Sequence, residues 1–286
     1  MSGKMKNLLI RALTGIVFLA VVIGGIIYGA ESFIVMFAII TGLMIWEFCS
    51  NINACQDAGV NRLISTVAGV YLFFAFFGFC SNLTPSAVFI PYILSLIYLL
   101  ISELYLHQDD PVKNWAYAFA AQVYIALPMA LLNVLAFRPQ YEWVFPLSVF
   151  IFLWANDTGA YLFGSMLGRK LPAKLFPRIS PKKTWVGSIG GGLVCLGAGA
   201  VLWYFFPNVF PIWHWLGIAA TVCVFGTWGD LVESQYKRTL GIKDSGDLLP
   251  GHGGVLDRFD SSLIAIPAVV LYLYTLNAVR MYFQTA

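Results

Sequence analysis

Long apolar segments alternate with short polar ones along almost the whole chain. A helix needs about 20 consecutive apolar residues to cross a membrane, and these segments are close to that length. Because no long polar stretch is left over, the pattern predicts an all-α polytopic membrane protein without a large extramembrane domain. About nine transmembrane helices are predicted, over residues 10–29, 32–49, 64–80, 86–106, 115–136, 143–163, 188–206, 209–228 and 262–282.

The composition supports a membrane protein and excludes a soluble domain. Hydrophobic residues make up 59% of the chain and charged residues only 11%, with a mean hydropathy of +0.78, whereas soluble domains are about 45–50% apolar. The five cysteines lie in or beside the predicted spans, with no CxxC pair, and are predicted to be reduced packing residues. Membrane lipids are therefore expected partners, and nucleic acid is not.

Basic residues are distributed unevenly over the polar segments. Fifteen of the 17 lysines and arginines lie in every second segment, and only Arg138 and Arg280 lie in the others. Since lysine and arginine are retained on the cytoplasmic side, this bias predicts a cytoplasmic N-terminus and an external C-terminus in the cell (inner) membrane.

Polar residues also divide the chain into two regions. Residues 1–140 contain few of them, with Glu47 and Glu103 near span ends where they can reach the interface, and are predicted to form scaffold helices. Residues 141–286 contain most of the residues that could bind a ligand or take part in catalysis. This second region is predicted to be catalytic, with cytoplasmic loops at 164–187 and 229–261.

The densest group of charged residues lies between the last two predicted spans. If the segment after Gly229 is helical, its polar residues recur at offsets that place them on one helix face. Gly241 is then a natural end for the helix. The residues on that face are Asp230, Glu233, Ser234, Lys237 and Arg238.

A glycine-rich loop follows, in which Gly253 and Gly254 allow tight turns and close approach to a ligand, beside His252. Beyond it, Asp257 and Asp260 fall on one face of the first turn of the next helix, where the helix dipole favours carboxylates. Carboxylates interleaved with basic groups suit a divalent cation that carries phosphates. The basic residues are Lys237, Arg238, Lys243 and Arg258.

The end of the sixth predicted span contains an acidic residue within an apolar segment. Asp157 lies inside an apolar segment, where an aspartate costs about 3 kcal/mol on insertion scales, so it usually faces a wet cavity or a partner. Asp157 is therefore a functional candidate.

The polar segment after that span contains six basic residues and no acidic one. Two interpretations are open: retention on the cytoplasmic side, or a triphosphate site. In the second, hydroxyls, ammonium groups and glycine backbone would contact phosphates, although the spacing is not that of a Walker loop. The residues concerned are Ser180, Lys182, Lys183, Thr184, Gly187 and Gly190 to Gly192.

These motifs together resemble one known family. The run from Ser234 to Asp260 reads S-x-x-K-R-x4-K-D-x-G-x2-L-P-x-H-G-G-x2-D-R-x-D and closely resembles the pattern of phosphatidate cytidylyltransferases, as do the Asp157 segment and S-P-K-K-T-W at 180–185. Tyr236 and Val186 depart from that pattern. The resemblance covers the C-terminal half in detail and the first half only as hydrophobic spans.

The resemblance implies transfer of CMP from CTP to phosphatidic acid, giving CDP-diacylglycerol and pyrophosphate. It implies Mg²⁺ held by Asp230 and Asp257, with a second cation such as K⁺ left open. The implied catalytic residues are Asp230, Lys237, Arg238, His252, Asp257, Arg258 and Asp260. The implied substrate-binding residues are Asp157, Ser180, Lys182, Lys183, Thr184, Ser234, Lys243, Gly253 and Gly254.

Two alternatives from other classes are weighed against this. In a transporter, charged residues would be distributed over several helices or repeated halves, whereas here they lie together on the predicted cytoplasmic side. Another Mg²⁺-dependent lipid-phosphate transferase, of the CDP-alcohol phosphatidyltransferase type, would show a D-G-x2-A-R motif, which is absent from the sequence. A homodimer through the transmembrane helices is left open.

The charge bias generates a prediction about topology. A reporter enzyme that is active only outside the cytoplasm should be active when fused after Ala286, because the basic residues hold the alternate segments inside. The same reporter fused to the N-terminus is the control and should be inactive. Activity of a cytoplasm-only reporter after Ala286 would contradict the predicted orientation.

Overall fold

A computed structural model describes residues 3–249, 251 and 253–285, with side chains described from residue 12 to residue 277 except 250 and 252. His252 therefore lies outside the described residues. Helices dominate the fold. In the first half they are α1 (Gly3–Ile27), α2 (Ala30–Gln56), α3 (Arg62–Cys80), α4 (Ile90–Leu106), α5 (Pro111–Ala121) and α6 (Leu127–Ala136).

Short irregular turns join some of these helices. A 3₁₀ turn (Ser86–Phe89) leads into α4, and a π turn (Gln122–Ala126) makes α5 and α6 continuous. The second half contains α7 (Val144–Leu167), the strands β1 (Lys174–Phe176) and β2 (Ser180–Thr184), then α8 (Trp185–Phe205), α9 (Ile212–Leu240) and α10 (Leu256–Thr285).

Seven helical segments within the described part of the chain are long and apolar enough to cross a membrane. This confirms an all-α polytopic membrane protein, while the count of nine and the orientation of the termini stay predictions. The described apolar part of α1, Ala12–Ile27, is shorter than a full span. The helix α7 is not among the seven, and polar Asn156 and Asp157 lie in its second half.

The basic segment is not the continuous loop that the sequence suggested. Strands β1 and β2 pair antiparallel, with Lys174 opposite Thr184 and Phe176 opposite Ser180. The side chain of Ile179 in the turn between them is buried, which anchors the hairpin. The Thr184 hydroxyl then accepts a hydrogen bond from the Gly187 N–H (3.2 Å) and caps α8.

The chain divides into two compact units. Unit 1 comprises Met1–Trp143 and Lys237–Phe259, and unit 2 comprises Val144–Tyr236 and Asp260–Ala286. The sequence placed all of residues 229–261 with the C-terminal region. In the structure, Lys237–Phe259 belongs to the same compact unit as Met1–Trp143, and the division into scaffold and catalytic regions stays a prediction.

Aromatic and amide side chains hold unit 1 together. Phe33 contacts the rings of Phe37, Phe73 and Phe137. The buried Asn133 amide on α6 donates to the Phe73 carbonyl on α3 (3.1 Å). Buried amides of this kind satisfy backbone carbonyls of a neighbouring helix where water is excluded.

Close helix packing organises unit 2. A Cβ atom at Gly159 of α7 would lie 2.9 Å from the Gly191 Cα, and one at Gly191 would lie 2.6 Å from the Asn156 carbonyl oxygen. A Cβ at Gly190 would overlap the Phe163 ring. These glycines therefore allow α7 and α8 to approach, whereas the sequence had suggested that Gly190 and Gly191 expose backbone to phosphates.

This packing generates a stability prediction. Gly191→Ala should destabilise the protein by about 1–3 kcal/mol, because the added methyl group meets rigid backbone. Gly197→Ala on the same helix is the matched control, since a Cβ there has no atom within 4 Å. It should be neutral, or stabilising by up to about 1 kcal/mol through helix propensity. Thermal unfolding in detergent measures both, and equal melting temperatures would contradict the packing argument.

Candidate active site

A polar cavity of about 310 Å³ lies in unit 2, among α7, β2, the start of α8 and α9. Its volume is at the lower end of the range of about 300–1,000 Å³ for small-molecule sites. Its lining combines carboxylates, ammonium groups, hydroxyls and an amide. The lining residues that carry these groups are Asn156, Asp157, Lys182, Lys183, Thr184, Ser188, Thr227 and Asp230.

Asn156 fixes the helices that frame this cavity. It is 4% exposed, its amide N–H donates to the Thr227 hydroxyl of α9 (3.4 Å), and its side-chain oxygen accepts from the Cys223 thiol (3.2 Å). This link between α7 and α9 leaves the adjacent Asp157 on the cavity wall. Asp157 thus faces a polar cavity, which is what its cost in an apolar segment predicted.

Lys183 and Asp230 form an ion pair on the cavity wall, with 2.6 Å between Nζ and Oδ2. Their side chains are 24% and 33% exposed. The other carboxylate oxygen of Asp230 accepts from the Ser234 hydroxyl (3.1 Å), one helical turn further on. Because partly exposed ion pairs contribute little net stability, phosphate and a cation could replace this contact at small cost.

The hairpin and α8 bring the remaining predicted groups to the cavity. Lys182 and Thr184 of β2 line it, and so does Gly187 in the first turn of α8. A Cβ at Gly187 would lie 2.9 Å from the Ala160 carbonyl oxygen, so glycine is required for this close approach. Ser180, at the start of β2, is not among the residues that line the cavity.

A second polar centre lies in unit 1, around the buried carboxylate of Asp257. Its Oδ2 atom accepts from the Ser245 N–H (2.7 Å), the Ser245 hydroxyl (2.9 Å) and the Gly254 N–H (2.8 Å). Its Oδ1 atom contacts the Lys237 ammonium (2.7 Å). Asp257 lies in the first turn of α10, as predicted, and its oxygens bind the loop that precedes the helix.

The glycines of this loop permit that arrangement. Gly253 has a φ of +85°, and a Cβ there would lie 2.6 Å from the Asp257 Oδ2. Gly241 has a φ of +70° directly after α9 ends at Leu240, which confirms the predicted helix stop. Glycine adopts such left-handed conformations without steric cost.

Two residues of α2 that the sequence did not single out for function complete this centre. Glu47 accepts hydrogen bonds from the Val255 and Leu256 N–H groups (both 2.9 Å). Asn51 donates to the Ser245 carbonyl (2.7 Å). The sequence feature that could have identified them is a glutamate and an asparagine four residues apart near the end of a span. Neighbouring residues in the sequence did not indicate which groups these side chains would bind.

The other predicted residues lie at the surface or outside these two centres. Arg238, Lys243 and Arg258 are exposed. Lys243 lies 3.8 Å from the Asp244 carboxylate, with both side chains at least half exposed, a geometry of little energetic weight. The Asp260 carboxylate accepts from the Ser261 N–H (2.6 Å).

The two predicted metal ligands lie in different units. Asp230 belongs to unit 2 and Asp257 to unit 1, so the binding of one Mg²⁺ ion by both stays a prediction. No group of three candidate ligand residues occurs among the residues that the structure describes. Mg²⁺ commonly uses only one or two carboxylates together with substrate phosphates and water. Asp157 and Asp230, which both line the cavity, fit that mode.

Comparison with known proteins places the chain in a family. It matches the cytidylyltransferase family over residues 9–276. It is also similar to proteins named phosphatidate cytidylyltransferase: 47% identical over 127 residues to that of Staphylococcus aureus strain COL, 46% to that of S. haemolyticus and 45% to that of S. epidermidis. Each alignment covers 44% of this chain and 48% of the relative, so the chain spans about half the length of the curated relatives it matches. Because the family match extends from α1 into α10, the chain belongs to the cytidylyltransferase family.

Proposed function

We propose that this chain is a phosphatidate cytidylyltransferase, which transfers CMP from CTP to phosphatidic acid within a membrane. The observation that carries the proposal is the cavity of unit 2, where Lys182, Lys183, Asp157 and Asp230 lie together. Ammonium groups suit phosphates and carboxylates suit the accompanying cation. The names of the relatives agree with this substrate pair.

The reaction needs no nucleophilic side chain. A phosphate oxygen of phosphatidic acid attacks the α-phosphorus of CTP, the bond from that phosphorus to the bridging oxygen breaks, and pyrophosphate leaves. Catalysis of such a transfer rests on alignment of the two anions and neutralisation of the charge that develops. Lys182 and Lys183 would provide the neutralising charge at the triphosphate, and Thr184 and Ser188 provide hydroxyls nearby.

Asp230 would hold the Mg²⁺ ion, and Asp157 of α7 lines the same cavity. When bound, Mg²⁺ neutralises phosphate oxygens and orients the triphosphate. Lys183, which contacts the Asp230 carboxylate in the structure, would bind a phosphate of CTP. Asp257 is retained as the second predicted ligand, although to coordinate an ion it would have to give up some of the hydrogen-bond donors that contact it.

The membrane placement follows from the same proposal. The enzyme would be a multi-pass protein of the cell (inner) membrane with its active site facing the cytoplasm, where CTP is available. This orientation rests on the distribution of basic residues. A homodimer and a second cation such as K⁺ remain expectations.

The direct test uses purified full-length protein in detergent with labelled CTP. Label should enter a lipid-soluble product only when phosphatidic acid and Mg²⁺ are both present. Replacing phosphatidic acid with diacylglycerol, which lacks the attacking phosphate, is the matched control and should give no product. Product that forms without phosphatidic acid would contradict the proposal.

The cavity lysines generate a prediction about CTP. Lys183→Ala or Lys182→Ala should raise the KM for CTP, by about tenfold for each 1.4 kcal/mol of binding lost. Folding should be nearly unaffected because the hairpin is polar and partly exposed. Lys174→Ala is the control, since Lys174 is exposed on β1 of the same hairpin and does not line the cavity. Unchanged CTP kinetics in both cavity variants would leave these lysines as topology determinants.

The predicted metal ligands generate a second prediction. Asp230→Asn and Asp257→Asn keep side-chain size and remove the charge, so each should be expressed and lose most activity, about 100-fold or more. Asp257→Asn should also lower the melting temperature, because its amide would face groups that need an acceptor. If the two share an ion, the double variant should be little worse than either single one. Asp247→Asn, at an exposed loop position, is the control. Normal rates with an unchanged Mg²⁺ dependence would contradict the assignment and make Asp157 and Asp260 the pair to test.

A further inference from the structure

Glu47 of α2 makes contacts that its position in an apolar helix does not explain. Its Oε1 atom accepts from the Val255 N–H and its Oε2 atom from the Leu256 N–H, both at 2.9 Å. Oε2 also contacts the Ser245 hydroxyl (3.3 Å). The carboxylate therefore binds the start of α10 and the loop before it, about 200 residues further along the chain.

These N–H groups are ones that a helix cannot satisfy internally. The first N–H groups of a helix have no intrahelical acceptor, and a negative charge at that end is stabilised by the helix dipole. Leu256 is the first residue of α10. A carboxylate from another helix thus takes the place of an N-terminal capping side chain.

The neighbouring glycines make room for this carboxylate. A Cβ at Gly254 would lie 2.5 Å from the Glu47 Oε2, and one at Gly246 would lie 2.8 Å from its Oε1. Glycine at both positions thus lets the loop backbone close around Glu47. The requirement for glycine here is set by a side chain of α2.

A chain of hydrogen bonds connects Glu47 to Asp257. Ser245 contacts Glu47 through its hydroxyl, and both its hydroxyl and its N–H bind the Asp257 Oδ2. Asn51, one turn along α2 from Glu47, donates to the Ser245 carbonyl. Residues four apart share a helix face, so α2 holds the loop at two points, and Asp257 with it.

We propose that Glu47 is a positioning residue of the reaction, which holds Ser245, Val255 and Leu256 so that Asp257 and Lys237 keep their geometry. The inference rests on the proposed function. One consequence concerns phosphate binding. Since protein carboxylates already accept from the N–H groups of Gly254, Val255 and Leu256, these three groups would not be the ones that bind phosphate.

The test is Glu47→Gln in the full-length protein. Glutamine has an NH₂ group in place of one carboxylate oxygen. That NH₂ group would face either an N–H group or a hydroxyl, each of which donates to Glu47 in the structure and needs an acceptor. We expect kcat to fall about tenfold or more, equivalent to about 1.4 kcal/mol for each factor of ten. The KM for CTP should change less than about twofold, because the residues that line the cavity of unit 2 do not include this loop.

Glu103→Gln is the matched control. Glu103 is another carboxylate of unit 1, 7% exposed, and it accepts from the Asn114 amide (3.0 Å) rather than from the loop. Its variant should keep the wild-type kcat, even if the melting temperature falls. Glu47→Asp retains the charge with a shorter reach and should recover part of the kcat that Glu47→Gln loses.

Amide hydrogen exchange provides a readout that does not depend on activity. Exchange at Ser245, Val255 and Leu256 should accelerate in Glu47→Gln and not in Glu103→Gln. In a double-mutant cycle with Asn51→Ala, the losses in kcat should be less than multiplicative, because both residues act through Ser245.

The outcomes separate this inference from the proposed function. An active wild type whose Glu47→Gln variant keeps its kcat overturns the inference and leaves the function standing. Unchanged exchange at the three amides also overturns it. A wild-type protein that makes no lipid product overturns the proposed function itself, and the exchange measurement still reports whether Glu47 holds the loop.

Discussion

Hydrogen bonds from backbone N–H groups to two carboxylates, the buried Asp257 and the half-buried Glu47, hold the polar loop of unit 1 in one conformation. Asp257 accepts two such bonds, from the N–H groups of Ser245 and Gly254, and a third bond from the Ser245 hydroxyl, and it contacts Lys237. Glu47 accepts from the N–H groups of Val255 and of Leu256, the first residue of α10. An unpaired carboxylate or N–H group in this environment would cost several kcal/mol. The two carboxylates and the loop backbone therefore satisfy each other, and the glycines of the loop are needed for the short distances involved.

Unit 2 contains a polar cavity among helices that are otherwise apolar. Gly159 and Gly191 bring α7 and α8 into contact, and Asn156 links α7 to α9 through Thr227. These contacts fix the cavity walls without using the groups that would bind substrate. Asp157, Lys183 and Asp230 remain at the cavity surface, where the proposed nucleotide and cation would bind.

The two aspartate–lysine pairs differ in a way that bears on mechanism. The pair of Lys183 and Asp230 is partly exposed and makes few other contacts, so solvent and ligand can compete for it. The pair of Lys237 and Asp257 is more buried, at 17% and 3% side-chain exposure, and Asp257 accepts further bonds from the loop. Desolvation makes such a buried pair costly to rearrange. Asp230 is thus better suited to exchange partners during a catalytic cycle, and Asp257 to hold a fixed geometry.

Local pattern in the sequence was enough to predict the apolar helices, the helix stop at Gly241, the shared face of Asp230 and Ser234, and the place of Asp257 in the first turn of α10. Each of these depends on residues within a turn or two of one another, or on the about 20-residue length of a membrane span. The β hairpin, the glycine contacts between α7 and α8, and the roles of Glu47, Asn51 and Ser245 were decided only by the tertiary structure. Their partners lie far away in sequence, and hydrophobic periodicity reports which face of a helix is apolar but not which backbone groups a polar side chain on that helix will meet.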